Sequence, residues 1–117
     1  MRKLVVIESP FAGETDEDVR RNVEYAQAAM RDSFRYNEFP IASHLLYPQV
    51  LDDRIPEERE LGIQAGLAWG NLAEATVVYV DRGISSGMKY GIQHAQENHR
   101  PIEYRSIYSE FAVPDAE

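Results

Sequence analysis

The stretch ATVVYVDRGISSGMKYGIQHA, residues 75–95, decides how the rest of the chain is read. Ala75–Val80 is an unbroken apolar, largely β-branched run of strand length, and Met88, Ile92 and Ala95 recur at helical spacing. Between them lies a turn rich in glycine and serine. A strand that passes through such a turn into a helix is a place where α/β proteins hold an anion, because the first N–H groups of a helix have no intrahelical acceptor. Gly83 and Gly87 let the backbone turn tightly, and Ser85 or Ser86 supplies the cap of a helix that ends before His99-Arg100-Pro101. A capped helix with no ligand would carry the same residues, so the turn alone leaves both readings open.

Working outward, the same alternation recurs. Lys3–Glu8 (KLVVIE) is a continuous apolar strand of the kind buried in a parallel sheet, ending at Ser9-Pro10. Thr15 then caps a helix expected over 16–34, with Val19, Val23, Ala26 and Met30 on one face. Phe39–Ser43 is a short second strand. A long connection, HLLYPQVLDDRIP, leads to a helix expected over 56–73, opened by Pro56 with Glu57, Glu58 and Glu60 favourable to its N-terminal dipole. A fourth strand begins at 101–104, and the acidic tail 109–117 is expected to be loose beyond an α/β domain spanning 1–108.

Strands alternating with helices imply a parallel sheet with right-handed crossovers, whose ligands bind at the carboxyl ends of the strands. That edge gathers Glu8–Gly13, Ser43–Gln49 and Asp81–Met88. Ser9, Pro10, Phe11 and Gly13 form a second small-residue turn facing the first, and His44 and Tyr47 follow the second strand. Ser9, Pro10, Phe11, Gly13, His44, Tyr47, Gly83, Ser85, Ser86, Gly87 and Met88 are therefore the expected ligand-binding residues. Asp81 and Glu8, at strand ends on that edge, are the carboxylates placed for general-base chemistry.

Composition narrows the partners. The chain has 117 residues, 44% hydrophobic and 27% charged, which suits one soluble globular domain. Twelve Lys and Arg against 20 Asp and Glu give a net charge of −8, opposite to the basic footprint of a nucleic-acid binder. No apolar run approaches the roughly 18 residues of a membrane span. The chain has no cysteine. Its histidines at 94 and 99 do not share a helix face, so no metal and no cofactor are expected, and the location expected is cytoplasmic. Gly62, Gly66 and Gly70 repeat every fourth residue on the second helix, which points to a close approach there. A subunit contact through helix 56–73, and hence a homo-oligomer, is the expectation.

The strings SPF.G, HLLYPQVLDD..PEERELGIQAGL and ISSGM...I..A together resemble a family of small proteins, frequent in phages and bacteria, related to nucleoside 2-deoxyribosyltransferases. The likeness covers roughly residues 3–104. It implies a single Rossmann-like (flavodoxin-like) α/β domain, with a central parallel sheet of four to five strands, helices on both faces, and a nucleoside or nucleotide at the strand ends. In the transferases a helix glutamate attacks the anomeric carbon. Here the matching position, four residues before Ala95, is Gly91. The reading is therefore a binder of a nucleotide or phosphorylated ribose without covalent catalysis, in which Gly91→Glu would restore the missing carboxylate. The alternatives are a nucleoside 5′-monophosphate N-glycosidase or deoxyribosyltransferase using Asp81 or Glu8, and a non-enzymatic protein-interaction module.

Overall fold

A computed structural model describes residues 1–108; the tail at 109–117 lies outside the described residues. Its regular elements are β1 (Lys3–Glu8), α1 (Asp16–Phe34), β2 (Glu38–Ile41), α2 (Pro56–Gly70), β3 (Ala75–Tyr79), α3 (Ser86–Glu97) and β4 (Ile102–Arg105). Local chemistry sets the helix starts. Thr15 Oγ1 accepts the Asp18 N–H at 3.0 Å, and Asp16, Glu17 and Asp18 complement the positive end of α1. At α3, Ser85 Oγ accepts the Met88 N–H, and the Ser85 N–H donates to Met88 Sδ at 3.3 Å. α2 begins on Pro56 after an extended Ile55, and ends at Gly70 rather than 73 because tight turns at Leu72 and Ala73 unwind it.

All strands run parallel in the order β2-β1-β3-β4, with Val5 beside both Pro40 and Ala75, and Thr76 beside Ile102. The sheet has four strands, the lower of the numbers expected. The chain starts in the interior, steps to one edge, then crosses back over β1 to β3, which is the flavodoxin-like order. Alternation sorts the side chains. Val5, Ile7, Ala75, Val77 and Tyr79 form one core with Tyr25 and Ala29 of α1. Val78 on the opposite face packs with Met88 and Ile92 of α3, and Val6 on that face lies beneath Gly70 of α2. Each fully buried aliphatic side chain contributes about 1.5–3 kcal/mol, so these two layers hold the sheet between α1 and the α2–α3 pair.

A buried polar cluster ties the sheet together. Arg105 donates to both carboxylate oxygens of Glu38, at 2.9 and 2.6 Å, and lies 3.9 Å from the centroid of the Tyr36 ring. Burial alone would raise the Glu38 pKa, but the hydrogen bonds from Arg105 and Ser33 outweigh it and hold the carboxyl below its usual range. Tyr79 Oη donates to Asp32 at 2.9 Å, bringing the end of α1 into the same cluster.

Candidate functional site

The strand order reverses between β1 and β3, so the chains leaving their carboxyl ends diverge and open a crevice. A cavity of about 230 Å³ lies there. Its floor is the end of β1, Glu8 and Ser9. The connection after β2 covers one side with Ser43, His44 and Tyr47, while α2 contributes Gly62, Ile63 and Gly66 and α3 closes the other side from Ser85 to Gly91. The connection can follow this path because it winds into two single 3₁₀ turns, Ser43–Leu45 and Tyr47–Gln49.

Three polar features converge on this space. The N–H groups of Ser86 and Gly87 open α3 and have no intrahelical acceptor, so they and the helix dipole favour a negative group. Ser9 Oγ and His44 Nε2 are 2.7 Å apart. Burial pushes the His44 pKa down to about 4, so the ring is neutral at pH 7. Glu8 is the third. Burial raises its pKa to about 8 against the opposing pull of the Arg100 guanidinium, so at neutral pH it is mainly a carboxylic acid.

Glu8 also accounts for Gly91. A Cβ built on Gly91 would overlap the whole Glu8 carboxyl, whose farthest atom, Oε1, is 2.8 Å away. Position 91 does face the cavity, as expected. Its missing side chain, however, is occupied volume: a glutamate introduced there would collide with the carboxyl already present. Gly91→Glu would thus restore a carboxylate facing the cavity with a shift of the Glu8 side chain, whose flexible end is what stands there.

Of the residues expected from sequence, Glu8, Ser9, Phe11, His44, Tyr47, Ser85, Ser86, Gly87 and Met88 line the cavity. Pro10, Gly13 and Gly83 border instead a shallow depression beside it, which shares Ala12 and Ser85 with the cavity and is flanked by Arg82. Arg82 donates to Asn22, at 2.9 Å, and not to Glu8. Asp81 reaches neither space. Its carboxylate accepts from Tyr25 Oη (2.7 Å), Ser106 Oγ (2.5 Å) and the N–H groups of Ile107 (2.9 Å) and Tyr108 (3.1 Å). Burial would raise its pKa, and these donors together lower it. Asp81 anchors the segment after β4 to α1, a structural task that uses both oxygens.

The contribution of α2 escaped the sequence reading. Its repeated glycines carry the signal, which by sequence alone points to a subunit contact. Gly62 lies against Tyr47 and Leu51, Gly66 against Ser43, and Gly70 against Arg100 and Val6, so the close approach is within the chain. These glycines let the connection after β2 nestle on α2 and wall the cavity. The outward side of α2 instead carries Leu61 and Trp69, both about half exposed.

Among the described residues no helix is long and apolar enough to cross a membrane, and no group of three or more His, Cys, Asp or Glu is placed to hold a metal ion. A model for a domain of unknown function, DUF7768, matches residues 3–105. No curated protein and no solved structure matches the chain.

Proposed function

The chain belongs to the DUF7768 family, a domain of unknown function, and we propose that it binds a nucleotide or another phosphorylated ribose in the strand-end cavity, on a scaffold related to nucleoside 2-deoxyribosyltransferases. The observation that carries this reading is the meeting of two ends in one half-open cavity: the N–H groups of Ser86 and Gly87 at the start of α3, and an apolar wall from Phe11, Tyr47, Ile63 and Leu67. The first suits a phosphate and the second a flat base, with the sugar between them over Glu8, Ser9 and His44. α3 carries no carboxylate at position 91, so binding proceeds without a covalent bond from that helix.

Thermal unfolding with a panel of nucleosides, nucleoside 5′-monophosphates and ribose 5-phosphate tests the reading. A ligand present at 100 times its Kd stabilises by about 2.7 kcal/mol, which raises Tm by several degrees in a domain of this size. The expected result is a shift with at least one monophosphate that exceeds the shift with its nucleoside. No shift with any compound would remove the reading.

A further inference from the structure

We propose that the depression beside the cavity receives a second phosphate, held by Arg82, so that the ligand class is a nucleoside 5′-diphosphate. The inference rests on the nucleotide-binding reading and deepens it, from one phosphate at the start of α3 to a diphosphate that runs on toward Arg82.

Asn22 is the residue that points there. It is 4% exposed on α1. Its Nδ2 donates to the carbonyl oxygens of Phe11 (3.1 Å) and Ala12 (3.2 Å), and its Oδ1 accepts from Arg82 Nε at 2.9 Å. A buried amide thus joins the turn after β1 to the turn after β3 and fixes the guanidinium beside them. Only Nε is used. Among the described residues Arg82 has no ion pair and no other hydrogen bond, although Glu14 and Asp18 border the same depression. The bond to Asn22 holds the fork at the depression instead of releasing it to a carboxylate. Nη1 and Nη2 are then available to two oxygens of one phosphate, and a fork fixed beforehand loses less freedom on binding.

The depression lies where a second phosphate would go. Ala12 and Ser85 border both spaces, so the cavity continues into the depression past the start of α3. Pro10, Gly13 and Gly83, which the sequence marks as ligand residues and the cavity does not use, border this second space. Gly83 has a φ of 81° and nothing within 4 Å of where a Cβ would stand, so it makes the turn and leaves the approach to Arg82 open. Charge sets the length of the phosphate chain. The net charge of −8 disfavours each added phosphate in general, so any gain from the second must come from a local cation. Arg82 is the cation that borders the depression, and Glu14 and Asp18 repel a third phosphate. A diphosphate is the species that meets both the N–H groups of α3 and the fork.

The test is calorimetry with the 5′-mono-, di- and triphosphates of adenosine, guanosine, cytidine and uridine. With the preferred base, the wild-type protein is expected to bind the diphosphate about tenfold or more tighter than the monophosphate, and the triphosphate no tighter than the diphosphate. Arg82→Gln should lower diphosphate affinity to that of the monophosphate and leave monophosphate affinity nearly unchanged. The wild-type comparison decides the matter by itself should the variant fail to fold. Equal affinity of wild type for mono- and diphosphate, tightest binding of the triphosphate, or an Arg82→Gln variant that weakens mono- and diphosphate alike would overturn the inference and leave the binding reading standing. Absence of binding by any of these nucleotides would overturn both.

Discussion

Glu8 and Gly91 act as one feature at the scale of single residues, and that feature should set how stability responds to pH. The Glu8 pKa is about 8 in the folded chain and 4.5 as its ordinary value. Between those values the native state holds a proton that the unfolded chain has released, so stability declines as pH rises across that window. Glu8→Gln removes this dependence. In urea denaturation the variant should gain little over wild type at pH 5 and on the order of a few kcal/mol at pH 8.5, each pKa unit being worth about 1.4 kcal/mol. An equal difference at both pH values would show that the carboxyl is not held as an acid. His44 works at the other end: its folded pKa is lowered from 6.5 to about 4, so its contribution is lost as pH falls through that interval. Both residues were legible in the sequence as strand-end candidates. That Glu8 fills the space above Gly91 was not, because β1 and α3 are distant in sequence and only the crossover brings them together.

At the scale of elements, the start of α3 and the inner face of α2 make separate predictions. Ser86 is exposed at the first position of α3, where an aspartate suits the helix dipole, so Ser86→Asp should fold normally. It should weaken nucleotide binding by charge repulsion yet spare binding of the matching nucleoside; equal calorimetric affinities for wild type and variant would remove this turn from the site. Gly66→Leu should behave differently. A Cβ at that position already lies 2.5 Å from Ser43 Oγ, so a leucine forces the connection off α2. The expected cost is about 1–3 kcal/mol of stability with loss of ligand binding, at unchanged mass in light scattering. A variant that binds normally but loses an oligomer would return the glycine face to the subunit contact first expected. Thr15, Pro56 and Ser85 made the helix starts readable, since each cap is a local device. The role of α2 was not readable, because its glycines say that something comes close without saying what.

Over the whole molecule, strand and helix alternation made the parallel sheet legible, and the apolar runs at Val5–Ile7 and Ala75–Tyr79 marked its buried centre. The cluster joining Arg105 to Glu38 left no local signal, because its members come from β4 and β2 at opposite edges of the sheet. Removing one partner of a buried pair leaves the other charge uncompensated, at about 3–5 kcal/mol. Arg105→Met should therefore lower unfolding stability by about that amount, whereas a loss below 1 kcal/mol would mean that the pair is dispensable. The same topology places the reversal of strand order between β1 and β3, and with it the cavity on which the functional reading depends. The most direct measurement is a crystal structure of the protein soaked with the nucleoside monophosphate that stabilises it best. Nucleotide binding at the strand ends predicts density in this cavity, with the phosphate at the N–H groups of Ser86 and Gly87 and the sugar within hydrogen-bond reach of Glu8. An empty cavity with the nucleotide bound elsewhere on the chain would contradict it.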